Sequence, residues 1–320
     1  MPDDEERQLL MRYGYYPGCS LEGISAEYDD SMRGLLAHLN VAIEEVPDWI
    51  CCGTLAASSL SRLMGPATAL WNVARAKHAG YDQLIAPCSA CLYHFKHATK
   101  RVAENPALRA EIEALLELPL AAPPPTIHPL ELLTADGFEA RIRGLVQRDL
   151  SDLRVVCYYG CHISRPAAVM QFDDPENPQS MDRLLSWVGV KALDWSGKVD
   201  CCGAHYSLIR PDIVVDLCQG LFESALEVGA EAIVAACPMC HANLDTRQSE
   251  IGARLDRSLD MPVLYFSQVL GYALGLPIES LGLKRHIVDP LPLMLAKCAQ
   301  AGSGIGPVHT LDAVSERDHG

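Results

Sequence analysis

The chain has 320 residues, 49% of them hydrophobic, and a formal net charge of −15. That length suits two domains of about 150 residues, each able to bury a core. The charge excludes the basic footprint of nucleic-acid binding and disfavours docking on an anionic membrane surface. Residues 1 to 12 are charged and expected to fray. Tyr13 to Tyr16 predicts a short aromatic strand, and the turn Pro17-Gly18-Cys19 presents Cys19 at its carboxyl end. A helical period follows from Ala26 to Leu39, with Met32, Leu35, Leu36 and Leu39 on one face. Val41 to Val46 predicts a second strand, and Pro47-Asp48 opens the loop that carries Cys51-Cys52-Gly53. A helix from Leu63 to Ala79 is closed by Gly80. Leu84 to Ala86 is a strand running into Pro87-Cys88, and Cys91 opens a helix to about Val102. Residues 104 to 120 predict another helix, and the prolines in Ala121 to Thr126 a stiff connector.

The second half repeats this order. Leu153 to Tyr158 is a strand ending in the turn Tyr159-Gly160-Cys161. A loop-like insertion from Asp173 to Pro178 precedes Ser180-Met181-Asp182-Arg183-Leu184-Leu185, which echoes Ser31-Met32-Arg33-Gly34-Leu35-Leu36. Next come a strand at Lys191 to Asp194, Cys201-Cys202-Gly203, a helix from Pro211 to Val228 and a strand at Ala232 to Ala236. A helix from Cys240 to about Leu255 closes the copy, and His128-Pro129-Leu130 matches Phe266-Ser267-Gln268 as a trailing segment. The expected domains are 13–150 and 151–298, with a flexible tail at 299–320. Strands alternating with helices make the class α/β: two repeated domains, each with a small, mostly parallel sheet flanked by helices. Ligands of such sheets sit at the strand carboxyl ends, here expected between the halves.

Ten of the thirteen cysteines form two matching sets. The first is Cys19, Cys51, Cys52, Cys88 and Cys91; the second is Cys161, Cys201, Cys202, Cys237 and Cys240. The start Met1-Pro2-Asp3-Asp4-Glu5-Glu6 is acidic where a secretory leader is basic and then apolar. The most apolar run, Ile213 to Ala236, is broken by Asp216, Glu223, Glu227 and Glu231. A cytoplasmic protein that does not itself span a membrane is expected, in a compartment where thiols stay reduced. The sets therefore point to soft-metal ligation and not to disulfides. A structural zinc takes four ligands and a cubane cluster also takes four, so a fifth thiolate favours a larger or more open iron–sulfur cluster. Zinc stays open at this point. Helices opening at Cys91 and Cys240 would aim N–H groups at the thiolates and favour an anionic site.

His162 and His205 follow cluster cysteines closely and are candidate proton donors to a departing thiolate, or else hydrogen-bond partners of cluster sulfur. His94, His97 and His241 are expected on helix surfaces or behind the ligands. Cys157 is expected as a strand thiol, Cys218 as core and Cys298 as an exposed thiol. Trp49 and Trp195 are expected to pack. Ile50, before the first Cys-Cys-Gly, predicts a first site that is drier or tuned in potential.

The doubled pattern resembles the CCG-domain proteins, specifically the B subunit of heterodisulfide reductase. Tyr16-Pro17-Gly18-Cys19-Ser20-Leu21-Glu22-Gly23, Glu27-Tyr28-Asp29, Pro47-Asp48-Trp49, Tyr159-Gly160-Cys161-His162 and Asp174-Pro175-Glu176-Asn177-Pro178 carry the resemblance over roughly residues 13 to 275. It implies two noncubane [4Fe-4S] clusters, one per set of five cysteines, with a disulfide cleaved or formed between them. It also implies a cubane-cluster partner like the C subunit of that enzyme and a flavin-containing partner like its A subunit. The substrate would be a thiol/disulfide pair or a lipoyl-type sulfur carrier. The excess of arginine over lysine favours the bacterial sulfur-oxidation branch. The alternative is a non-catalytic electron-relay or anchoring subunit of a quinone-linked dehydrogenase of the glycolate, lactate or succinate type.

Overall fold

The computed structural model describes residues 11–54 and 57–301; the expected frayed start over 1–10 and the tail over 302–320 lie outside the described residues. The alternation of short apolar runs with helical periods produces two four-stranded sheets. The first holds β1 (Tyr13–Tyr15), β2 (Ile43–Glu45), β3 (Gln83–Ile85) and β4 (Thr126–Ile127) in the order β2-β1-β3-β4. The second holds β5 (Arg154–Tyr158), β6 (Lys191–Leu193), β7 (Ala232–Ala235) and β8 (Val263–Tyr265) in the order β6-β5-β7-β8. Every neighbouring pair is parallel, so the α/β expectation holds in its strict form. Covered on both faces, β7 buries all its residues and shows no polar alternation.

Register makes the halves equivalent. Tyr15 pairs with Ile85 and Cys157 with Val234. In each half, then, the residue four before the first cysteine faces the residue three before Cys-x-x-Cys. The two connections leave the sheet side by side and bring their thiols together.

Several expectations need correction. The helices after β3 and β7 span Ser89–Glu104 and Pro238–Thr246, so they open before Cys91 and Cys240. Cys88 and Cys237 hold extended backbone at the N-cap positions, and Pro238 fits the first helical turn. A separate helix, Gln248–Leu255, follows the second of these after a break at Arg247. Cys19 lies in a short helix, Gly18–Glu22, and not in an open turn. His128 caps helix Pro129–Leu133 while Tyr265 caps Phe266–Ala273, so the trailing segments match one residue earlier than the sequence suggests. The last described helix, Leu291–Ala301, runs past residue 298.

The halves share their core. Helix Ala26–His38 packs on helix Phe266–Ala273. Ser31 Oγ lies 2.8 Å from Ser267 Oγ, and the Arg148 guanidinium donates to the carbonyls of Tyr272 and Leu276. Tyr28 stacks on Tyr265 at 4.1 Å between ring centroids. The seam between the sheets is therefore packed protein.

Candidate metal centre

At the carboxyl edge of each sheet three connections converge. In the first half Cys19 and Cys51 lie 3.9 Å apart and Cys52 and Cys91 3.1 Å; in the second Cys202 and Cys240 lie 3.5 Å apart. Cys161 shares a hydrogen bond with Cys201, Cys88 with Cys91 and Cys237 with Cys240. One further contact joins the sets: Cys88 meets Cys237 across the seam. All ten predicted cysteines are thus brought together, in two groups that touch at one point.

The glycine of each Cys-Cys-Gly is required by backbone shape. Gly53 has φ +80° and Gly203 φ +79°, the left-handed region that a side chain disfavours. This turn sends one cysteine inward and leaves the other at the surface: Cys52 and Cys202 are buried, Cys51 and Cys201 exposed. It also aims backbone N–H groups at sulfur, with Gly203 N 3.3 Å from Cys201 Sγ.

The thiols polarise one another. Cys51 is pulled down to about 2, chiefly by the hydrogen bond it shares with Cys19 and then by Cys52, and Cys201 to about 6 by Cys161. Cys19 and Cys161 are pushed up by the same bonds and by burial. Cys237 is held well below its ordinary range by Cys240 and Cys88, helped by the N–H groups of Cys240 and Met239 at the helix start. Crowded, partly ionised and partly buried sulfurs are the donor set of a soft metal.

Two hydroxyls beside the thiols leave room for a further acceptor. Tyr28 Oη and Ser89 Oγ are buried and have no hydrogen-bond partner. Tyr28 faces Cys237 and Cys88, and Ser89 lines the cavity beside them. Inorganic sulfide or a ligating thiolate would accept from either O–H. The residues fit an iron–sulfur cluster.

A cavity opens over the second group, lined by all five of its cysteines, Cys161, Cys201, Cys202, Cys237 and Cys240, and reaching Thr54, Ser89 and Ala90 of the first half. His162 and His205 both line it, their ring centroids 6.1 Å apart. His162 stacks on Tyr93 at 4.6 Å, and His97 stacks on the same tyrosine at 5.2 Å. His94 is pushed down to about 4 by burial and by repulsion from His162, His97 and His205. The sequence sets His94 and His97 in one half and His162 and His205 in the other, and only the fold brings them together.

Other sequence expectations resolve as follows. Cys157 is buried in β5, and Trp195 Nε1 donates to its carbonyl. Cys218 is core, with its Sγ 3.7 Å from the Cys202 carbonyl. Cys298 is half-buried beside Tyr272 and not fully exposed. Ile50 is 41% exposed, so its side chain faces water and does not dry the first site; its N–H and carbonyl are used by Asn72 and Tyr16. Asn243 was missed: its amide donates to the Cys202 carbonyl and approaches Cys202 Sγ at 3.6 Å. The signal was its place three residues after Cys240, matching His94 after Cys91.

His241 is buried away from the cavity, close to His286 and Asp245. Gln268 is oriented by the Tyr265 N–H and the Leu281 carbonyl, so it presents an N–H to His286 Nε2 at 2.8 Å. The His286 proton therefore sits on Nδ1, 3.1 Å from His241 Nε2. Asp245 accepts from the N–H groups of Ile287 and Val288. This is a hydrogen-bonded network with no lone pair of His286 left for a cation.

Comparison with known proteins matches this arrangement. The family described as "CCG: Cysteine-rich domain" matches residues 13–96 and 155–245, stretches that contain all ten cysteines. The 8-methylmenaquinol:fumarate reductase membrane anchor subunit of Wolinella succinogenes is 26% identical over 287 residues, 89% of this chain and 100% of that protein. The B subunit of ferredoxin:CoB-CoM heterodisulfide reductase from Methanosarcina mazei is 24% identical over 302 residues, 92% of this chain and 100% of that protein. Among solved structures, a hypothetical protein from Helicobacter pylori shares the fold with TM-score 0.70 at 14% identity, covering 87% of this chain. The present chain spans 52% of that one. Among the described residues no helix is long and apolar enough to cross a membrane.

Proposed function

The chain belongs to the cysteine-rich CCG-domain family, and from that premise we propose that it is the catalytic iron–sulfur subunit of a heterodisulfide-reductase-like complex. Cys19, Cys51, Cys52, Cys88 and Cys91 would hold one noncubane [4Fe-4S] cluster and Cys161, Cys201, Cys202, Cys237 and Cys240 the other. The observation that carries this reading is the contact of Cys88 with Cys237, which joins two complete thiol groups beside a cavity lined by the second of them.

The reaction is R–S–S–R′ with two electrons and two protons giving RSH and R′SH, or its reverse. When bound, each cluster supplies one electron and a site for one substrate sulfur. The chain's own residues do the rest. His162 and His205 stand at the mouth where protons must enter or leave, close enough to the cavity to serve each departing thiolate. Met239, held against Ser20 Oγ at 3.6 Å, and Ala90 line the cavity with apolar surface that excludes water from the reacting sulfurs.

The chain carries no ferredoxin-type run of closely spaced cysteines, so electrons need a cubane-cluster partner of the C-subunit type, fed by a flavin-containing partner of the A-subunit type. A lipoyl-type carrier or a small thiol is the proposed substrate, with sulfur oxidation as the setting. The name of the Wolinella relative favours a second reading, an anchoring or relay subunit of a quinone-linked reductase. Cleavage of small disulfides driven by a reduced viologen separates them. Turnover that is lost in Cys88→Ser and in Cys237→Ser supports the catalytic reading. Full cluster loading with no turnover on any disulfide supports the relay.

A further inference from the structure

His128 lies outside both cysteine sets, fully buried at the start of helix Pro129–Leu133. Its Nδ1 accepts the Leu130 N–H at 3.1 Å. A peptide N–H only donates, so the ring proton sits on Nε2. Burial pushes the imidazole down to about 4, which keeps it neutral at pH 7. That single Nε2–H lies 2.9 Å from the Pro87 carbonyl and 3.0 Å from the Ala236 carbonyl. Pro87 immediately precedes Cys88 and Ala236 immediately precedes Cys237, the two cysteines that meet across the seam.

The arrangement is asymmetric. The equivalent residue of the second half, Tyr265, turns its ring onto Tyr28 and His241. One imidazole thus stands between both strand ends. Without a shared proton, two buried carbonyl oxygens would face each other across the space that the ring fills, and each would seek another donor. The strand ends would then separate, carrying Cys88 and Cys237 with them.

We propose that His128 is a positioning residue: its one N–H clamps the carbonyls before Cys88 and Cys237 and so fixes the distance, and the electronic coupling, between the two cluster sites. This rests on the cluster reading above. The test compares His128→Gln, whose amide N–H reaches as far as Nε2, with His128→Asn, whose amide does not. Each protein is purified anaerobically with its iron and sulfide quantified. The readouts are the EPR splitting from the interaction between the two half-reduced clusters, the gap between their midpoint potentials, and kcat and KM for disulfide cleavage.

The Gln variant keeps the wild-type splitting and potential gap. The Asn variant keeps its iron, narrows both, and loses up to about 10²-fold in kcat with KM little changed, the scale expected of a misplacement near 1 Å. An Asn variant that folds with iron and shows wild-type splitting and kcat overturns the proposal, as does a Gln variant that fails like Asn. Failure of the cluster reading is a separate outcome, seen as wild-type protein without iron.

Discussion

Tyr16 and Tyr158 occupy the same place in the two halves and make the same bond. Each lies three residues before the first cysteine of its set and donates its hydroxyl to the carbonyl directly before Cys-Cys-Gly: Ile50 at 2.8 Å for Tyr16 and Asp200 at 2.7 Å for Tyr158. The hydroxyl thereby straps the Cys-Cys-Gly loop to the strand that delivers the first thiol.

Removing one strap tests it without opening the core. Tyr16→Phe keeps the buried ring and loses one hydrogen bond, about 1 kcal/mol. The expected result is faster iron loss to a chelator from one cluster only, with Tyr158→Phe doing the same to the other. Equal loss from both clusters in either variant would show that the straps do not act locally.

The Cys-Cys-Gly turns give unequal outcomes on substitution. Gly53→Ala and Gly203→Ala each put a side chain at positive φ, a cost of about 1–2 kcal/mol. At Gly53 the new methyl also overlaps Thr68 and approaches Ala57 at 2.8 Å, while at Gly203 its nearest neighbour is Leu217 at 3.1 Å. Thermal melts of the loaded protein are expected to fall further for Gly53→Ala. Equal falls would mean that the turn, and not its packing, sets the cost.

Asn243 lies against the second thiol set. Its N–H approaches Cys202 Sγ at 3.6 Å, and a donor to a cluster sulfur favours the more negative, reduced state. Asn243→Leu is therefore expected to lower one of the two midpoint potentials in a redox titration and leave the other in place. An unchanged pair of potentials would remove Asn243 from the site.

Stability should depend on pH through the buried histidines. His128 and His286 are pushed from 6.5 down to about 4, mainly by burial, and His241 well below its ordinary value. The unfolded chain binds their protons first as pH falls, so their stabilisation is complete well above pH 6.5 and is lost as pH drops through 6.5 toward 4. For His128 alone the shift corresponds to about 3 kcal/mol. Glu27, Glu131 and Asp245, held up by burial, act in the opposite sense as pH falls through their raised values. Denaturant midpoints should fall slightly from pH 7.5 to 6.5 and more steeply from 6.5 to 5.5. A level profile to pH 5.5 would contradict the neutral buried network.

The cysteine sets and the repeated βα order were legible because both are local: a spacing, a glycine, an apolar run before a turn. β4 and β8 were not, being two and three residues long and existing as strands only because β3 and β7 offer an edge. The shift that pairs His128 with Tyr265 depends on sheet register, which no run of apolar residues in the trailing segments encodes. Likewise His94, His97, His162 and His205 meet only because the two sheets share a seam. The helix starts at Ser89 and Pro238 were the most readable of the misses, since Pro238 at a first turn is itself a start signal.

The central claim is that ten thiols hold two adjoining clusters, one of them lining a substrate cavity. Iron, acid-labile sulfide and zinc on anaerobically purified protein, with EPR after oxidation in the presence of candidate thiols, test it most directly. The account predicts about eight iron and about eight sulfide per chain, no zinc, and a paramagnetic signal that appears only with thiol. Zinc in place of iron, or about four iron with no response to any thiol, would contradict it.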